Sequence, residues 1–294
     1  MKILLAVDEG RHSSYAATQT SKLALNAWAD VTILGNCNED GGKSPEATGA
    51  LPPACGSLME SMQVYRQIFL KEGPPEDNPY LAQKEALEWL PVDKGAWEEF
   101  KVLRGARKNL RLRLRKGDAG QVLEEDAVED YDLIVLGYGP HGESLPGASR
   151  DGMQKIIENA RASVLLVKQD LEIHNLVVCL DNHEVPQRSL ELINLIATIH
   201  GAALHLYGVT REGWIEIEVD KKLYNLHRYF ASNQTQVRTS FKDHAELLPQ
   251  FAGEAKPDLL VLWRGKQSIL RTLFPKKWLG DLVGKSQSSV LVLR

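Results

Sequence analysis

Cysteine is scarce, with only Cys37, Cys55 and Cys179 in 294 residues. Three are too few for a disulfide framework, and their spacing suits no metal site. Cys37 and Cys55 could pair only if the fold brings them together, and a reducing cytoplasm would oppose it. An excess of one charge is lacking too: Lys plus Arg total 35 and Asp plus Glu 39, a net charge of −4. That balance excludes the basic surplus usual in nucleic-acid binders. No apolar run approaches the roughly 18 residues of a membrane-spanning helix. The run Ile3 to Val7 stops at Asp8, too short for a signal-peptide core. Catalytic motifs are missing as well. The eight histidines form no His-Glu-x-x-His. Gly280-Asp-Leu-Val-Gly284-Lys285-Ser286 is one residue short of a P-loop and precedes a strand instead of following one. Gly147-Ala-Ser149-Arg-Asp151 lacks the last glycine of a nucleophile elbow. These absences lead us to expect a cytoplasmic protein, without metal, that works by binding rather than turnover.

What is present is a repeat. Lys2-Ile-Leu-Leu-Ala-Val-Asp8 returns as Asn175-Leu-Val-Val-Cys-Leu-Asp181. Asp132-Leu-Ile-Val-Leu136 returns as Asp258-Leu-Leu-Val-Leu262, and Ser163-Val-Leu-Leu-Val-Lys168 as Ser289-Val-Leu-Val-Leu-Arg294. Asp132 to Ser163 and Asp258 to Ser289 are both 31 positions, which argues against chance. Asp8 to Asp132 is 124 positions but Asp181 to Asp258 only 77, so the first copy carries about 47 extra residues. These follow the strand Val31 to Leu34.

Continuous apolar runs such as Ile3 to Val7 and Leu133 to Leu136 suit strands covered on both faces. Helical segments lie between them, for instance Ser13 to Ala27, which Ser13 or Ser14 could cap. Strand–helix alternation implies a parallel α/β sheet. Leu110-Arg-Leu-Arg-Leu-Arg115 alternates strictly and predicts a strand with one wet face. The extra segment starts near Cys37 and runs into the eighties. Asn38 to Pro53 reads as loop, Leu58, Met62, Tyr65 and Phe69 take helical spacing, and Lys84 to Trp89 could begin a further helix ended near Pro91. A lid over the first-copy crevice, a dimer contact and a plain packing element are all open for it.

With its opening strand ending in Asp8, Gly117-Asp118 before a helix, Asp132-Leu-Ile-Val-Leu-Gly137 and the closing Lys155-Ile-Ile to Lys168 segment, the chain resembles the universal stress protein family in its tandem two-domain form. The resemblance spans both copies. It implies two open five-stranded parallel-sheet domains of the adenine nucleotide alpha-hydrolase type, 1–169 and 173–294, related by a pseudo-two-fold and paired through their last strands. It also implies a stress-response regulatory protein and a homodimer of tandem chains.

Nucleotide-binding members carry G-x2-G-x9-G-[ST] after the fourth strand, where glycines admit phosphates to the backbone and a helix N-terminus favours their charge. One register here gives Gly137, Pro140, Arg150 and Asp151, matching only at the first position. The other gives Gly139-x2-Gly142-x9-Gly152, lacking only the final hydroxyl. A first-domain site for ATP or AMP would therefore use Val7 and Asp8 at the base end, with Gly137, Gly139, Gly142 and Arg150 at the phosphate end. Alternatively, Asp8 is simply a strand-end residue capping the next turn. In the second copy the matching positions are Trp263, Lys266, Lys276 and Lys277, so a family-type nucleotide site is not expected there. Arg264, Lys266, Arg271, Lys276 and Lys277 share a segment with Trp263, Phe274 and Trp278 and no acidic residue. That segment suits a solvated loop or a docking surface for an acidic partner, an anionic small molecule or an anionic lipid surface. Three functions follow: a nucleotide-binding regulator, an adaptor acting through protein contacts without nucleotide, and a slow nucleotide hydrolase.

Overall fold

In the computed structural model the described residues are 1–37, 55–82, 87–93, 96–101, 105–117, 122, 131–139, 156–157, 160–170, 172–180, 184–210, 213–243, 246–247, 257–263 and 286–294. The chain forms two compact units, Met1–Ala162 and Ser163–Arg294.

The first unit runs β1 (Lys2–Val7), α1 (Arg11–Asn26), β2 (Asp30–Cys37), α2 (Gly56–Lys71), β3 (Leu87–Asp93), β4 (Ala96–Lys101), β5 (Leu110–Lys116) and β6 (Leu133–Gly137). Its strand order is β6-β1-β2-β5-β4-β3. The first four strands are parallel, while β4 pairs antiparallel with both β5 and β3. The apolar run Ile3 to Val7 is wholly buried, as a strand covered on both faces should be.

The second unit runs β7 (Ser163–Val167), β8 (Asn175–Leu180), α3 (Gln187–His200), β9 (Ala203–Thr210), α4 (Ile217–Ser232), β10 (Val237–Asp243), β11 (Leu259–Trp263) and β12 (Ser289–Leu293). Its order is β10-β9-β8-β11-β12-β7, parallel except for the antiparallel pair β12–β7. That pair matches Val290 with Leu166, and the Lys168 amide donates to Ser289 Oγ at 3.1 Å. The pairing explains why the compact units divide between Ala162 and Ser163, whereas the repeat in the sequence places β7 in the first copy. The five strands expected of each copy are β1, β2, β5, β6 and β7, then β8, β9, β10, β11 and β12.

The repeated aspartates have a structural purpose. Asp132 Oδ2 accepts the Lys2 amide at 2.8 Å, and Asp258 Oδ2 accepts the Asn175 amide at 2.9 Å. Each carboxylate fastens the start of the first strand of its copy to the strand beside it. Asp132→Ala and Asp258→Ala are each expected to lower stability by about 1 kcal/mol, given the exposure of these bonds. Urea unfolding checks this, and an unchanged midpoint would remove the assignment.

The extra chain is not one block. α4 follows β9 across 211–216, but α2 follows β2 across 38–55; β10 follows α4 across 233–236, but β5 follows α2 across 72–109. Thus α2 is the counterpart of α4. The additions are the stretch before α2 and the β3–β4 hairpin after it. Of the helix expected over Lys84 to Trp89, Lys84 lies outside the described residues, while Leu87 to Trp89 belong instead to β3, which zips onto β4 from Leu87 opposite Lys101. Pro91 is accommodated because β3 is the outer strand of the order, with no strand on its far side to need its N–H. Nor does β5 have a wet face throughout: Arg113 is buried, its guanidinium on the Glu98 carboxylate of β4.

α2 buries Leu58, Met62, Tyr65 and Phe69, the residues its spacing predicted, and Arg66 as well. Cys37 and Cys55 are joined by a disulfide, contrary to the expectation from a reducing compartment. The end of β2 and the start of α2 are neighbours, with the two Cα atoms 5.6 Å apart.

Candidate functional site

The chain leaves β1 towards β2 and later returns to place β6 on the other side of β1. In open parallel sheets ligands settle where the order reverses, outside the carboxyl ends of the strands. Here that place is bounded by Val7, Asp8, Gly137 and Gly139, four of the six first-copy candidates. Gly142 and Arg150 lie outside the described residues, as do Arg264, Lys266, Arg271, Lys276 and Lys277.

Val7 has no exposed surface. Asp8 is engaged by its own loop: Ser13 Oγ donates to Asp8 Oδ1 at 2.5 Å, the Gly10 amide donates to the same oxygen at 2.7 Å, and the Asp8 amide donates to Ser13 Oγ at 2.9 Å. The N-cap of α1 is Gly10, and no side chain caps the helix. Neither Ser13 nor Ser14 does so, because the Ser13 hydroxyl is turned back onto Asp8. Of the two roles open to Asp8, the geometry shows the turn-closing one.

A second tie comes from α2. The Tyr65 hydroxyl donates to the carbonyl of Asp8 at 2.9 Å and lies 3.3 Å from that of Gly10. Burial, then the charges of Asp8 and Glu9, push its phenol up to about 12. Like any tyrosine it is protonated and donates at neutral pH; the stability linked to its raised pKa is fully present below the usual tyrosine range and fades as pH rises through about 12. Ser57 Oγ donates to Glu9 Oε1 at 2.6 Å on the same side. A Cβ on Gly35, near the end of β2, would stand 2.6 Å from Met62 Sδ and 3.2 Å from Leu58 Cδ2. The space beside β2 is therefore filled by α2, and the disulfide holds the start of that helix to the strand.

Gly137 has a packing role as well. A Cβ there would lie 2.4 Å from both the carbonyl carbon and oxygen of His12 and 2.7 Å from the Ser13 nitrogen. The end of β6 presses directly on the first turn of α1, so glycine is required whether or not a phosphate binds. The site residues missed in the sequence are Ser13, Ser57 and Tyr65. Tyr65 was legible as a core position, but nothing in its spacing announced where its hydroxyl would reach.

His205, on β9 beside Arg238 of β10, has a pKa lowered by burial and then by that guanidinium. Among the described residues no group of three or more His, Cys, Asp or Glu could hold a metal ion. No described helix is long and apolar enough to cross a membrane.

No protein-family model matches the sequence, and no curated protein matches it. Solved structures do resemble it. A universal stress protein from Archaeoglobus fulgidus matches over 100% of this chain and 98% of its own, with a TM-score of 0.57 and 14% identity. A functionally unknown protein from Pseudomonas aeruginosa matches over 99% and 92%, with a TM-score of 0.57 and 15% identity. The cytoplasmic domain of a prokaryotic cation chloride cotransporter matches over 99% and 94%, with a TM-score of 0.50 and 11% identity. The fold is mixed α/β with largely parallel sheets, that of the universal stress proteins in tandem form.

Proposed function

We propose that this chain, folded as the tandem universal stress proteins are, is a stress-response regulatory adaptor that acts through protein contacts, without turnover and without nucleotide in its first unit. The observation carrying this reading is the closed loop after β1. The Asp8 carboxylate is engaged by Ser13 and Gly10, and Tyr65 bridges from α2 to the backbone of the same loop. A ribose or adenine seeking Asp8 would find Oδ1 already accepting two hydrogen bonds that also shape the entry of α1. The cytoplasm is the location this reading assigns, with a disulfide shielded from dithiols because Cys37 is 4% exposed and Cys55 0%. A homodimer of tandem chains belongs to the same reading.

One observation favours a second reading, in which ATP or AMP binds the first unit. The order of strands reverses at β1, and Val7, Asp8, Gly137 and Gly139 stand at that reversal. Calorimetry of the full chain with ATP and with AMP separates the two. No heat is expected up to millimolar nucleotide. Saturable heat that disappears in Asp8→Ala would replace the adaptor reading with nucleotide binding, and phosphate release abolished by the same change would replace it with hydrolysis. For the adaptor itself, reversing charge at Lys276 and Lys277 is expected to reduce partner recovery in pull-downs, and unchanged recovery would count against it.

A further inference from the structure

We propose that the second unit carries a binding groove for a small zwitterion of the amino-acid or dipeptide class. An open surface groove of about 450 Å³ lies between the segment leading into α3 and one face of α4. Glu184 and Val185 form one wall. Glu218, Lys221, Asn225 and Leu226 form the other, with Lys222 bordering it.

The residues at this place differ between the two copies. Gly35 and Gly208 are equivalent residues of β2 and β9. A Cβ on Gly35 would meet Met62 Sδ at 2.6 Å, and one on Gly208 would meet Leu223 Cδ1 at 2.4 Å. Met62 of α2 therefore corresponds to Leu223 of α4. The same alignment sets Tyr65 against Leu226 and Ser57 against Glu218. In the first unit Tyr65 and Ser57 tie the helix to the loop after β1. In the second unit leucine can donate no such bond, and the groove runs beside it.

The lining selects the ligand. Glu218, Lys221 and Asn225 fall at i, i+3 and i+7 of α4, on one face of the helix. Two carboxylates and two ammonium groups surround the space, so a phosphate chain would gain from the lysines and lose to Glu184 and Glu218. A molecule with no net charge but both signs gains from each. Its carboxylate is received by Lys221 and Asn225, its ammonium by Glu184, and its apolar body rests on Val185 and the largely buried Leu226. This site is independent of what the first unit binds.

The test is amide-resolved NMR titration of the full chain with leucine, glycyl-leucine, leucinamide, 4-methylpentanoate and inorganic phosphate. Leucine or glycyl-leucine is expected to shift Val185 and Leu226 saturably. Leucinamide and 4-methylpentanoate, each keeping one charge, should bind about tenfold more weakly. Lys221→Glu and Glu184→Lys, both at exposed positions, should each weaken the zwitterion about tenfold without changing the melting curve. Leu226→Tyr, which places in α4 the residue that ties α2 to its loop, should abolish binding. The proposal is overturned if no zwitterion shifts these amides at millimolar concentration, if both charge variants bind as wild type, if the one-charge analogues bind equally well, or if phosphate binds in preference.

Discussion

Glu99→Ala is expected to cost about 3–5 kcal/mol of stability, the usual result of breaking a buried ion pair from one side. Arg66 is only 1% exposed and Glu99 5%, and a guanidinium nitrogen stands 3.5 Å from the carboxylate. Gln63 Nε2 donates to the same carboxylate at 2.7 Å. Alanine at 99 takes from Arg66 a buried carboxylate partner. The pair joins α2 to β4, so the additional hairpin and the helix should loosen together. Urea unfolding measures the loss. The double change Arg66→Met with Glu99→Leu should restore most of it, since two apolar side chains need no partner. If Glu99→Ala unfolded at the wild-type midpoint, the pair would be an ornament of the hairpin and not its anchor.

Gly137→Ala is expected to destabilise by about 3 kcal/mol, at the upper end for overpacking a dense interior. The added methyl would sit 2.4 Å from backbone atoms of His12, which cannot swing aside as a side chain would. Either β6 or the first turn of α1 must move, and moving the turn strains the Ser13–Asp8 bond. Gly137→Val should be worse. Thermal melts with and without millimolar ATP distinguish the two purposes open to this glycine. A residue kept only for a phosphate would tolerate alanine in the ligand-free protein with no change in melting temperature.

The architecture was legible because burial writes itself into residue order. Runs such as Ile3 to Val7 and Leu259 to Leu262 are apolar at every position, which only strands covered on both sides require. Their return at constant spacing, and the fastening of each copy by Asp132 and Asp258, made the duplication visible. The hairpin was not legible. Leu87 to Asp93 has no clean alternation and contains Pro91, features that suit an outer strand only once β4 is known to lie beside it. Arg113 looked solvated because its alternation is that of a half-wet strand, and only Glu98 on the neighbouring strand gives its charge a buried home. At the candidate site, Val7 and Asp8 were found from their place at the end of β1. The use to which Asp8 is put depends on Ser13, five residues on, and on Tyr65, which approaches from another helix. Such contacts between distant segments leave no period in the sequence.

The bond between Cys37 and Cys55 makes the intervening residues a covalent ring hanging from two fixed points. Lengthening a closed loop costs only about 0.6 kcal/mol per doubling, so residues added within the ring carry a small entropic cost. The entry of α2, and with it the reach of Tyr65, is thereby insulated from whatever the ring acquires. Residues inserted into this glycine-, proline- and acid-rich stretch should leave the strand and helix at its ends in register, since the disulfide joins those ends.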